Sequence, residues 1–240
     1  MQSVMTNSDL ALCSVQGLSV HRGTSLVLED LNFQLNRGSL CGLTGPNGGG
    51  KSTLFEVLMG WRSISSGSLE WKNNASISLL PQVSDQPQNL PITVKDFVAM
   101  GTWGRKSQSK PALDLDACLS LLSLETIQKK LVRELSGGEW KRACLARCLV
   151  QPADVYLLDE PFNHLDISSE ERVGHLLQDL RLKGKTFFVI SHDWHAMNHF
   201  MDSLILLNRR ILSQGSVAEV TQNYRDRLDP RHHEWMHLPS

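Results

Sequence analysis

Apolar residues along this chain recur with two different periods, and the alternation between them predicts its elements. Residues 18–20, then 31–35 with period-two alternation, then 40–43 read as strands, and Arg37-Gly38 marks the turn before the third. Residues 54–59 space instead like the first turns of a buried helix. Ser65-Ser66-Gly67 reads as a break, followed by strands over 68–71 and 77–80 joined by the turn-forming pair Asn73-Asn74, with Pro81-Gln82 ending the second. From Val83 the composition turns polar. A short helix is expected over 93–100 and a polar linker over 101–111. Leu113, Leu115, Cys118, Leu119, Leu122 and Leu124 then recur at helical spacing, as do Cys144, Leu145, Cys148 and Leu149. Beyond this helix-rich middle third, 155–158 and 187–190 are apolar runs of strand length separated by an amphipathic helix over 168–182. Continuous apolar strands separated by a helix imply parallel strands covered on both faces. Residues 203–213 read as a hairpin around Asn208-Arg209, and the absence of an internal repeat predicts one such unit rather than two.

The run Gly45-Pro46-Asn47-Gly48-Gly49-Gly50-Lys51-Ser52-Thr53 fits the pattern of a glycine, four residues, then Gly-Lys-Ser/Thr. It lies between a predicted strand and a predicted helix, the context in which such a loop cradles phosphate. Consecutive backbone N–H groups can curl inward there, and the helix adds its positive N-terminal dipole. Lys51 would neutralise β/γ-phosphate charge and the Ser52 hydroxyl would ligate Mg²⁺. A nucleoside triphosphate is the expected ligand.

Composition narrows the picture further. Lys and Arg total 24 against 25 Asp and Glu, so bulk charge gives no reason to expect nucleic acid or an anionic membrane surface as partner. No apolar run approaches the ~20 residues of a membrane helix, and Met1 to Asp9 lack the features of a secretion signal. The five cysteines are scattered and odd in number, the pattern of buried thiols in a reducing compartment.

Two further strings carry chemistry. The apolar strand 155–158 runs into Asp159-Glu160, and strand carboxyl ends in an open α/β sheet are where ligands bind. The first carboxylate can hold Mg²⁺, and the second can orient or deprotonate an attacking water. Leu135-Ser136-Gly137-Gly138-Glu139 is a second glycine-bearing turn into a helix, suited to another phosphate or simply to capping that helix.

Taken in order, the phosphate loop, Gln82, Leu-Ser-Gly-Gly-Glu, Leu-Leu-Asp-Glu-Pro, Leu165-Asp166 and Ser191-His192-Asp193 resemble the ATP-binding cassette (ABC) ATPases from about residue 18 to about residue 220. Residues 81–82 and 90–101 are most similar to ATP-binding subunits of bacterial metal-ion importers. The resemblance implies an α/β P-loop NTPase core with a mixed, parallel-rich sheet over 1–82 and 151–225, including an N-terminal antiparallel β subdomain. It implies an inserted helical subdomain over 83–150 and a His-containing tail over 226–240. It also implies roles. Lys51 and the amides of 48–53, within the loop from Gly45 to Thr53, would hold the phosphates of ATP; Ser52 and Asp159 would hold Mg²⁺. Gln82 would touch the metal or the attacking water, Glu160 would be the general base, and His192 would bind the γ-phosphate. Ser136, Gly137 and Gly138 would close over the ATP of a second copy, with Asp166 coupling the two sites. The implied partners are that second copy, an integral membrane permease and a solute-binding protein, without nucleic acid, and the implied location is the cytoplasmic face of the inner membrane.

Four positions depart from the family pattern. Arg22, beside His21, stands where an aromatic ring stacks on adenine; a guanidinium can also stack on a base. Glu139 replaces a common Gln. Gly49 adds a third consecutive glycine, expected to cost the loop some order. Phe162-Asn163-His164-Leu165-Asp166 mixes an importer-like start with a string found in ribosome-acting cassettes, which makes a soluble ATPase of the translation machinery the rival reading. A small-molecule kinase would leave the Ser-Gly-Gly string without a role. His232, His233 and His237 read as a solvated tail rather than a metal sensor, and His195 and His199 as ordinary residues of the helix that positions His192 rather than a metal pair.

Overall fold

A computed structural model of the chain describes residues 11–82, 86–87, 89–103, 109–163 and 165–226. His232, His233 and His237 lie outside these residues, as does His164. The chain divides into two compact units, Met1–Asn74 with Ile190–Ser240, and Ala75–Val189.

In the first unit, β1 (Ala11–Arg22) and β2 (Ser25–Asn36) pair antiparallel, and β4 (Ser66–Trp71) pairs on the other side of β1. The buried side chains of β2 are Leu28, Leu31, Phe33 and Leu35, so the alternation slips by one residue between 28 and 31. Asp30 takes up that slip at φ +50°. Its carbonyl accepts from Asn32 Nδ2, whose Oδ1 in turn accepts from the Gly17 N–H at 2.8 Å. Such a bulge keeps one apolar face on the core while the strand lengthens. Of the string 65–67, expected to break the chain, Ser66 and Gly67 instead begin β4. Gly67 sits at φ +84°, and a Cβ there would lie 2.3 Å from the Gly17 carbonyl oxygen, so this glycine permits two strands to touch rather than ending one.

The same unit holds β3 (Leu40–Thr44), every residue of it buried and parallel to β8 (Ser203–Asn208). β8 turns at Arg209 (φ +59°) into antiparallel β9 (Arg210–Ser216), the hairpin expected from the sequence. Its helices are α1 (Lys51–Leu58), α6 (Trp194–Phe200) and α7 (Val217–Asp226).

In the second unit, β5 (Ile77–Leu80) runs parallel to β6 (Val155–Asp159), whose other neighbour is β7 (Thr186–Ile190). All five residues of β6 and of β7 are buried, as strands covered on both faces must be. The helices are α2 (Val94–Ala99), α3 (Leu115–Leu121), α4 (Gly137–Leu149) and α5 (Ile167–Leu182). α2 is capped by Thr93 and packs on α4 through Phe97 and Trp140, ring centroids 4.8 Å apart, with the Arg147 guanidinium over Phe97. Tyr156 is buried in the sheet, yet its hydroxyl donates to the Gln151 carbonyl at 2.9 Å and accepts from the Ala112 N–H at 2.7 Å. All five cysteines are buried and unbridged; burial pushes the thiols of Cys13, Cys41, Cys144 and Cys148 up to about 12. Among the described residues no helix is long and apolar enough to cross a membrane.

Gly67→Ala tests the β1–β4 contact. The new methyl meets backbone at a left-handed φ, so the urea unfolding midpoint should fall by the equivalent of at least about 2 kcal/mol. An unchanged midpoint would show that the strands can part at no cost.

Candidate nucleotide-binding site

The phosphate-loop string leaves β3 at Thr44 and enters α1 at Lys51. Gly45 (φ +141°) passes so close to β8 that a Cβ would stand 1.9 Å from the Leu207 carbonyl oxygen. Gly49 is similarly confined: a Cβ would lie 2.9 Å from the Pro46 oxygen and 3.0 Å from that of Leu207. The middle glycine of the three is therefore the residue that lets the loop close on itself, with the Gly49 N–H donating to the Pro46 carbonyl at 3.0 Å. The β8–β9 turn holds it from outside. The Arg209 N–H donates to the Gly49 carbonyl, while the Arg209 carbonyl accepts from the Glu29 N–H, both at 2.8 Å, and Arg210 forms an ion pair with Glu29.

The buried Lys51 ammonium donates to the carbonyls of Gly45 (2.7 Å) and Pro46 (2.8 Å), which places a positive charge at the loop centre. α1 begins without a side-chain cap and without an acid in its first turn. Its first amides and positive dipole end therefore stay available to an anion. Ser52 is exposed beside them.

His192 belongs to the same unit. The Ser191 N–H donates to the Leu43 carbonyl at 3.3 Å, fixing the chain beside β3 just before the imidazole. Asp193 then caps α6, its Oδ1 accepting from the amides of His195 (2.8 Å) and Ala196 (3.1 Å). Partial burial first, and the Lys51 charge second, hold His192 below the ordinary histidine value, so it is neutral at pH 7. Arg22 is exposed at the end of β1, before the Gly23 turn.

In the second unit Asp159 ends β6 buried, and Glu160 follows, 3% exposed and at φ +54°. A non-glycine residue held there costs of order 1 kcal/mol and marks a position the surroundings over-determine. Lys141, on α4, is also buried. Desolvation lowers its ammonium below the usual lysine value, opposed by the nearby carboxylates of Glu160 and Asp159. A buried cation facing two buried acids is part of this strand end, and the sequence reading did not single it out. Its only trace in the sequence is a charged residue at a core-facing register of α4.

Ser136 does cap α4. Its Oγ accepts from the Glu139 N–H at 3.3 Å, and Glu139 Oε2 accepts from the Ser136 N–H at 2.7 Å, a reciprocal capping box. That backbone bond, foremost, holds the Glu139 carboxyl below its ordinary range, with Lys130 adding its charge from 3.6 Å. The departure from Gln thus has a structural use. Gly137 has open space where a side chain would stand, so its face of the turn can receive another molecule. Gln82 is exposed just after β5, and Asp166 caps α5 through Ser169 at 2.9 Å.

A family profile described as "ABC transporter" matches residues 28–163. The manganese transport system ATP-binding protein MntB of Listeria innocua is 35% identical over 218 residues, covering 86% of this chain and 90% of that protein. The zinc transport system ATP-binding protein TroB of Treponema pallidum is 34% identical over 214 residues, covering 84% and 80%. Among solved structures, an ATP-binding subunit of an ABC transporter superposes with a TM-score of 0.78 at 20% identity, covering 91% of this chain and 95% of that one. The fold class is therefore the α/β P-loop NTPase expected from the sequence.

The charge coupling within the first unit can be read directly. In an NMR titration His192 should titrate below free imidazole, and Lys51→Met should move it upward. An equal or lower value in the variant would remove Lys51 from its surroundings.

Proposed function

The chain belongs to the ABC transporter family, and from that premise we propose that it is the ATP-hydrolysing subunit of a membrane importer of metal cations of the manganese and zinc class. One observation carries the cation class: relatives that share about a third of their residues over 80–90% of their own length are ATP-binding proteins of manganese and zinc transport systems. These relatives favour transport over the ribosomal reading of residues 162–166. The chain binds ATP and hydrolyses it.

Phosphoryl transfer to water is catalysed mostly by placement and charge compensation, so donors must converge on one phosphate from several sides. Lys51 and the amides from Gly48 to Thr53 hold the β- and γ-phosphates. Neutral His192 donates a hydrogen bond to the γ-phosphate and fixes the line of attack. Glu160, buried at the end of β6, takes the proton of the attacking water. Ser52 and Asp159 offer a hydroxyl and a carboxylate, hard oxygen donors that fit Mg²⁺, with Gln82 as a further oxygen ligand. Bound there, Mg²⁺ would neutralise phosphate charge. Arg22 stacks its guanidinium on the base.

Ser136, Gly137 and Gly138 present the uncrowded end of α4 to the γ-phosphate held by a second copy, and Asp166 couples the two sites. Hydrolysis then waits for closure of the pair. Closure and release act on a permease through the helical segment 83–150, the groove beside Gln82 and residues 93–101. A solute-binding protein delivers the cation on the far side, and the subunit sits peripherally on the cytoplasmic face.

Two variants test this. Glu160→Gln should keep ATP affinity, lower kcat by roughly 10²–10⁴-fold and accumulate as a dimer on size exclusion with ATP; wild-type turnover would remove Glu160 as the base. Ser136→Arg should cost about 1 kcal/mol from the lost cap and leave ATP binding by single copies intact. It should also abolish the dimer in the Glu160→Gln background, and a dimer that still forms there would refute the shared site.

A further inference from the structure

The helix that follows His192 carries a second constellation with no part in the chemistry above. His195 and His199 are four residues apart on α6, hence on one face of adjacent turns. Both are exposed, and their rings lie 5.8 Å apart, centroid to centroid, within 9° of parallel. The Phe200 ring meets His199 edge-on at 4.9 Å and limits its rotation. A carboxylate oxygen of Asp193 and a ring nitrogen of His195 lie within 4.8 Å of each other. Asp193 caps the helix through Oδ1, so its second oxygen can serve elsewhere without loss of the cap. On the other side, Asn198 ties α6 down, donating to the Trp194 carbonyl at 2.8 Å and accepting from the α7 hydroxyl of Thr221 at 3.1 Å.

Two imidazoles one turn apart can converge on a single cation about 2.0–2.1 Å from each ring nitrogen, a spacing helical metal sites use repeatedly. Exposed rings reach that geometry by small side-chain rotations. Two imidazole nitrogens suit a borderline divalent ion of the zinc class far better than Mg²⁺ or Ca²⁺.

We propose that His195 and His199 form a binding site for a divalent transition-metal cation, whose occupation restrains His192. The restraint follows from connectivity. Asp193 adjoins His192 and caps this helix, so holding His195 and His199 on one ion stiffens the first turns that the cap joins and limits small adjustments of His192 toward the γ-phosphate. Metal at this site therefore slows hydrolysis. The site stands independently of the transport reading; only its meaning as feedback from imported cargo rests on that reading.

The test begins without nucleotide. Co²⁺ is titrated into the 240-residue chain in which His232, His233 and His237 are replaced by Ala, followed by visible absorption and calorimetry. One equivalent should bind. Adding His195→Ala and His199→Ala should weaken it by at least about tenfold, the loss typical even of groups that only support a ligand. Undiminished binding in that variant would overturn the site. In the second arm, ATP hydrolysis is measured with saturating Mg²⁺ and increasing Zn²⁺. The His199→Ala chain should match the parent without zinc and resist slowing by zinc. Equal slowing of both chains would place the zinc effect at the nucleotide and overturn the coupling to His192. Neither result depends on a permease, so failure here leaves the transport reading untouched.

Discussion

Both polar groups of the Arg209 backbone are committed, the N–H to the rim of the phosphate loop and the carbonyl to β2. That pair of bonds sets where the loop can lie. Because the β8–β9 turn must approach so closely, Gly45 and Gly49 have no room for side chains, and Arg209 adopts a left-handed conformation unusual for its type. With the loop clamped from outside, Lys51 can fold its ammonium onto the carbonyls of Gly45 and Pro46. His192 then titrates in the field of that charge. Loop, lysine and histidine thus form one electrostatic unit whose position is inherited from a hairpin.

The end of β6 obeys a different constraint. Two acids in succession at the close of a fully buried strand need compensation, and Lys141 supplies part of it from α4. α4 is also the helix that Ser136 and Glu139 cap. A single element therefore carries both the Ser136–Glu139 capping box and a charge facing Asp159 and Glu160. Lys141 lies about one turn beyond that cap, so any shift of α4 along its axis would be felt at both.

Much of this was legible beforehand because it follows from short-range rules. The apolar run 40–43, the glycine string and the helical spacing after it place β3, the loop and α1 without tertiary information. The runs 155–158 and 187–190 place β6 and β7 in the same way, and Asn208-Arg209 marks the hairpin. What escaped depends on contacts distant in sequence. Gly67 reads locally as a breaker, and only its abutment on Gly17 makes it part of a strand. The slip at Asp30 hides in an alternation that looks regular from Leu31 onward. Gly49 reads as slack until the Leu207 carbonyl is placed beside it. Lys141 reads as surface charge until α4 is docked, and Arg209 reads as a turn residue whose backbone bonds no pattern announces.

The five cysteines, all enclosed, have a bearing on how the chain withstands ions and oxidants that seek thiols. Burial lifts the four thiols Cys13, Cys41, Cys144 and Cys148 to about 12, so they stay protonated and weakly nucleophilic at neutral pH. A chain that keeps its sulfur protonated and enclosed is spared capture of soft metal ions through its own thiols, and peroxide finds no ready foothold on it either.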